Sequence, residues 1–192
     1  MKQILILFIF ILSACSNPKN CEKYYNDYVD LRVESKDKDA IIAIGKAIDC
    51  NQKNEDYLFE KVTYLIELNK ISEAKNDMII LQNINNSFKK EFPLYGLLEL
   101  KTGNKNKGNK ELSRVFDNLS KLEYNENNFN LFYYKLLLQV YIKGKKFTLK
   151  EIENQKLYNS SNEKATMQYL VNLINSEKDS LNVLCKAFKI KE

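Results

Sequence analysis

At 192 residues the chain is long enough to bury one sizeable core, so one domain is the expectation. Its 2 prolines and 5 glycines, with Leu, Ile, Lys, Asn and Glu abundant and no long Gly/Ser linker, are the composition of an all-α protein rather than a sandwich or barrel. The formal charge of +5 is too mild and too spread for a nucleic-acid partner, and the absence of His removes the commonest general base and metal ligand.

Taken in order, residues 1–14 read as a targeting segment. Lys2 supplies a positive start, and Ile4 to Leu12 form an apolar run too short to span a bilayer as a mature anchor. The run ends in Leu12-Ser13-Ala14-Cys15, which resembles the lipobox of bacterial lipoproteins. The resemblance implies diacylglycerol on the Cys15 thiol, cleavage before it, and acylation of the new amino terminus. Several acyl chains give stable membrane anchoring where one would be marginal. A plain secretory signal with a chance Cys is the alternative. Ser16 follows rather than Asp, so the inner-membrane retention signal of enteric bacteria is missing, which favours the outer membrane facing the periplasm. Residues 15–20 form a short lipidated tether, leaving 21–192 as the domain.

Export changes how the other cysteines read. With a first hairpin turning near Ser35-Lys36, Cys21 and Cys50 lie at equal distances before and after the turn and face each other across its open end. A Cys21–Cys50 disulfide is the expectation, and two buried free thiols the alternative. Cys185 falls in a C-terminal apolar stripe and reads as core. No Cys-x-x-Cys spacing exists, so neither a metal nor another cofactor is expected.

Between about Tyr24 and Leu122 one helix-pair pattern recurs at a spacing of 34. The small residues Ala40, Ala74 and Gly108 are each followed by apolar side chains four and seven places on: Ile44 and Ala47, Met78 and Leu81, Leu112 and Val115. In the same register, upstream, stand Tyr24, Leu58 and Phe92, then Tyr28, Val62 and Gly96. Small residues let two helices of a hairpin approach, while the stripe buries one face. The pattern predicts pairs over Cys21–Val33 with Asp39–Asp49, Asn54–Leu68 with Ser72–Ile84, and Lys90–Lys101 with Lys107–Leu122. Asp39 and Ser72 are expected to cap the second helices of the first two pairs, and Gly103 to take a left-handed turn.

A period of 34 with this layout resembles the tetratricopeptide (TPR) repeat, closest at Tyr64 to Ala74 and at Tyr95-Gly96. Only Gly96 keeps the helix-A glycine, and the terminal proline of the repeat is missing from all three. The resemblance implies an all-α, TPR-like α-solenoid of stacked antiparallel hairpins, with repeats at about 21–53, 54–87, 88–122 and 131–158. The fourth pair is TPR-like in shape but out of register: an Asn-rich loop over Tyr124–Asn130, a helix over Leu131–Ile142, a turn at Lys143-Gly144-Lys145, and a helix to about Tyr158 opened by a capping box at Thr148. A last pair over 162–190, the second helix capped by Asp179, would cover the exposed apolar edge.

No phosphate loop or nucleophile elbow is present, and the acidic pairs Glu22 with Asp27 and Asp37 with Asp39 look solvated, so no catalytic residue and no enzyme activity is expected. Binding is better supported. The TPR resemblance implies a groove lined by first helices, at Tyr25, Val29 and Arg32, then Phe59, Thr63 and Ile66, then Leu97 and Leu100, with Tyr134, Leu138 and Tyr141 added by the fourth. Such a groove suits a helix or extended segment of a protein partner; the other reading is that the C-terminal helices fill it. Lysines at the turns, among them Lys36, Lys70, Lys75, Lys107 and Lys143, would make either a basic ridge facing anionic lipid or an acidic partner, or merely solvated turns. Two functions fit: a protein-interaction module or assembly scaffold, and an immunity-type lipoprotein that neutralises an incoming toxin at the envelope.

Overall fold

A computed structural model describes residues 18–154 and 160–191. The targeting segment, Cys15 and most of the tether lie outside the described residues, as does the expected helix end at Tyr158. Among the described residues the protein is all-α, with eleven α-helices and one 3-10 turn. Two compact units are present, one up to Tyr57 and one from Leu58 onward, the boundary falling inside the third helix.

In the first unit, α1 (Pro18–Val33) and α2 (Asp37–Cys50) form a closely packed hairpin. Tyr28, Ala40, Ile44 and Ala47 are buried in it. Its open end is closed by a Cys21–Cys50 disulfide with Cα atoms 5.3 Å apart, in agreement with the expected pairing.

From Leu58 the second unit takes in the rest of α3 (Glu55–Glu67), then α4 (Ile71–Ile84), α5 (Asn86–Glu91), α6 (Leu94–Lys101), α7 (Lys105–Leu119), α8 (Phe129–Lys143), α9 (Lys145–Asn154), α10 (Ser161–Ser176) and α11 (Ser180–Ala187). A 3-10 turn over Glu126–Asn128 interrupts the Asn-rich loop. The helices pack as antiparallel pairs, α6 on α7 and α8 on α9, with α4 against α6, α7 against α8 and α11 against α8. Leu58, Leu65, Met78, Leu81, Leu112 and Leu136 are among the fully buried side chains, so the apolar stripe of the repeat is the core.

The period of 34 is also written in the backbone. Ser35, Asn69 and Gly103 adopt φ of 57°, 60° and 87°. Each donates its amide to the carbonyl three residues back, and the next residue donates to the carbonyl five back: Lys36 to Leu31, Lys70 to Leu65, Asn104 to Glu99. This is the left-handed helix stop that satisfies orphan carbonyls. The following residue then accepts the first bond of the next helix, from Ala40, Ala74 and Gly108 respectively. The same stop ends α11, where Lys189 has φ 55° and Ile190 donates to Cys185.

That geometry corrects the expected caps. The helices start earlier, at Asp37 and Ile71, with Lys36 and Lys70 at the cap position and no side-chain cap bond. Asp39 and Ser72 therefore lie inside the first turn. Thr148 likewise does not open a helix: it sits within α9, fully buried, its hydroxyl donating 3.2 Å to the Gly144 carbonyl. It occupies the small-residue place of the fourth pair, displaced by the longer preceding loop. The caps at Asp179 and, with a reciprocal Glu163, at Ser160 are formed by side chains.

The third first-helix is also broken where the sequence predicts continuity. Pro93 disfavours helical backbone at Phe92, which is extended at φ −109°, ψ 120°, and splits the helix into α5 and α6. After the break, α6 crosses α7 at Gly96 and Gly108. A Cβ on Gly108 would fall 2.6 Å from Leu100 Cδ2 and 2.8 Å from the Gly96 carbonyl oxygen. Gly45, by contrast, has nothing within 4 Å of a built Cβ.

Candidate binding cleft

The extended Phe92 is the centre of an aromatic cluster in the second unit. Its ring lies 5.7 Å from Phe59 of α3, 5.6 Å from Phe88 of α5, 5.1 Å from Tyr134 of α8 and 5.6 Å from Phe188 at the end of α11. All four contacts are edge-on, the geometry aromatic quadrupoles favour. Phe188 also stacks on Tyr134 at 6.0 Å, so the C-terminal helix supplies one wall.

Two clefts adjoin this cluster. One, of about 300 Å³, is lined by Phe59, Phe88, Phe92, Leu131 and Tyr134, with Glu91 and Asn130 also on its wall. The other, of about 340 Å³, shares Phe59, Phe92, Asn130 and Tyr134 and adds Tyr133 and Phe188. Burial raises the Tyr134 phenol above its usual pKa. Burial, then the neighbouring Tyr169 and Tyr134, pushes Tyr133 up to about 12. Both phenols thus stay protonated to higher pH than a free tyrosine, as hydroxyls able to donate or accept.

Of the expected groove residues, Phe59 and Tyr134 meet at these clefts. Leu97 and Leu138 are fully buried, and Ile66 nearly so. Leu100 packs toward Gly108 at the α6–α7 crossing. Thr63 is half-buried and turns its hydroxyl to the Glu60 carbonyl at 2.9 Å, and Tyr141 donates to Asn109 Oδ1 at 2.7 Å. In the first unit, Tyr25 stacks on Tyr57 at 4.9 Å, Arg32 donates to the Tyr28 hydroxyl at 3.0 Å, and Val29 is exposed. Sequence reasoning did not place Phe88, Phe92 and Phe188 in a groove. The available signal was Pro93, which turns Phe92 out of the helical register.

Five of the turn lysines have partners within the protein. Lys36 pairs with Glu34 at 2.7 Å, Lys70 with Glu73 at 2.9 Å, and Lys143 lies 5.2 and 5.1 Å from the rings of Phe116 and Phe147. Lys107 and Lys75 reach Glu99 at 2.7 and 3.4 Å. Glu99 is 1% exposed and also accepts from the Tyr95 hydroxyl and from Asn104 Nδ2, each at 2.6 Å. Burial alone would raise its pKa, but the bonds from Lys107, Tyr95 and Asn104 outweigh that and hold it at about 2. The carboxylate stands 34 residues after the buried Leu65, so a charged hub takes the place of a buried leucine in that register.

Among the described residues no group of three or more Cys, Asp or Glu is placed to hold a metal, and no helix is long and apolar enough to cross a membrane. No protein-family model matches the chain, and neither a curated protein nor a solved structure shows a significant match to it.

Proposed function

We propose that the chain is a lipid-anchored bacterial lipoprotein, facing the periplasm, that acts as a protein-interaction module or assembly scaffold and catalyses no reaction. TPR-like hairpins would present the aromatic cleft to a segment of a partner protein. The observation that carries the reading is the cleft itself: rings from helices far apart in sequence converge around unfilled apolar space, the usual form of an anchor pocket. The lipobox at Cys15 motivates the anchor, and the Cys21–Cys50 disulfide suits an oxidising compartment.

Two measurements test it. An alkyne fatty acid fed to expressing cells should label the wild type and not Cys15→Ser. A photo-cross-linking phenylalanine analogue at Phe88 should trap a discrete adduct in intact envelopes, absent from the same analogue at the exposed Phe147 and lost with Phe59→Asp. Equal adducts from both positions, or none from Phe88, refute the cleft as the working surface; absence of label refutes the anchor.

A further inference from the structure

Resting on the reading that the cleft takes a partner segment, we propose that the anchor it accepts is a Lys or Arg side chain carried on an apolar stretch. Three observations converge. The walls are aromatic, with Phe59, Phe88, Phe92 and Tyr134 around about 300 Å³, and ring faces attract a cation while their bodies cover an aliphatic stem.

Charge is the second. In a chain with 30 Lys and Arg against 25 Asp and Glu, no basic residue lines either cleft among the described residues, and Glu91 is the one charged group among them that does. Glu91 is half-buried and makes no ion pair with any described residue, while Lys90 beside it is exposed and off the wall. The Tyr134 hydroxyl and the Asn130 side chain, both on the wall, have no hydrogen-bond partner among the described residues. A neutral apolar anchor would fill the space but leave these groups facing it unpaired, and an acidic anchor would meet Glu91 as a like charge. A cation pairs with the Glu91 carboxylate and can donate to the Tyr134 hydroxyl oxygen and to Asn130 Oδ1.

Size is the third. A volume of about 300 Å³ is at the small end for a ligand pocket and has room for one long side chain.

The probes are a fluorescein-labelled Leu-Lys-Leu peptide and its norleucine counterpart, titrated by anisotropy into the detergent-solubilised full chain. Unlabelled n-butylammonium is the competitor. The lysine probe should bind at least about fivefold more tightly, and Glu91→Gln should erase that preference without unfolding, since the side chain is only half-buried. Phe88→Ala should weaken both probes. Equal binding of the two peptides, or a preference that survives Glu91→Gln, overturns the cationic anchor while leaving a peptide-binding cleft. Binding of butylammonium in a calorimetric titration, with no binding of either peptide by anisotropy, overturns it in favour of a free small amine. If neither peptide binds, the anchor assignment fails; the Phe88 cross-link then decides separately whether the partner reading survives.

Discussion

Replacing Gly108 and Gly45 by alanine should move stability in opposite directions. In a helix interior, alanine is favoured over glycine by about 1 kcal/mol, and at Gly45 nothing lies within 4 Å to oppose that gain. At Gly108 the same methyl group meets Leu100 at 2.6 Å and the Gly96 carbonyl oxygen at 2.8 Å. Leu100 can change rotamer, but the carbonyl belongs to the backbone of the facing helix, so α6 and α7 must separate. Overpacking of this kind costs about 1–3 kcal/mol, and meeting backbone places it toward the upper end. Subtracting the propensity gain leaves a net loss of about 1–2 kcal/mol. With about 2–4 °C of Tm per kcal/mol at this chain length, calorimetry should show Gly45→Ala up by about 3 °C and Gly108→Ala down by about 5 °C. A Gly108→Ala protein that melts at or above the wild-type temperature would refute the close crossing.

Three further outcomes follow from the same structure. Glu99 has a folded pKa of about 2 against an ordinary 4.5, so its contribution is complete above about 4.5 and lost as pH falls toward 2. Glu99→Gln should lose about 1–3 kcal/mol at neutral pH in urea melts and flatten that acid slope. Tyr133 is raised to about 12, so the folded state resists its ionisation: absorbance at 295 nm should show a late-titrating phenol, and stability should fall as pH climbs from 10 toward 12. Reduction, or Cys21→Ser with Cys50→Ser, opens a bridge with sequence separation 29 and should cost about 3–4 kcal/mol, read as a lower urea midpoint.

The sequence carried the hairpins and their crossing points clearly, because spacing alone encodes them. Ala40, Ala74 and Gly108 recur where helices must approach, and the buried stripe follows. Helix starts were less legible. Asp39 and Ser72 look like caps, but the preceding left-handed stop at Ser35 or Asn69 fixes the entry of the chain and starts the next helix sooner. The cleft was half visible. Phe59 and Tyr134 follow from the groove positions of the repeat, whereas Leu97 lies on α6, after the Pro93 break, and is buried. Phe88 and Phe188 reach the cluster from elements whose approach no local pattern records. Glu99 was hidden for another reason: its partners Lys75, Tyr95, Asn104 and Lys107 come from three helices and a turn, and each alone reads as surface.

The disulfide has a mechanical consequence. A pull on the chain ahead of Cys21 would, without the bridge, peel α1 from α2 one hydrogen-bonded turn at a time. With the sulfurs joined, the load passes from Cys21 directly to Cys50, and the hairpin between them lies off the path of force. At about 3.4 Å per extended residue, the bridge withholds roughly 100 Å of slack. A protein held by its amino end to a surface would thus keep its first hairpin folded under tension that would unravel the reduced form.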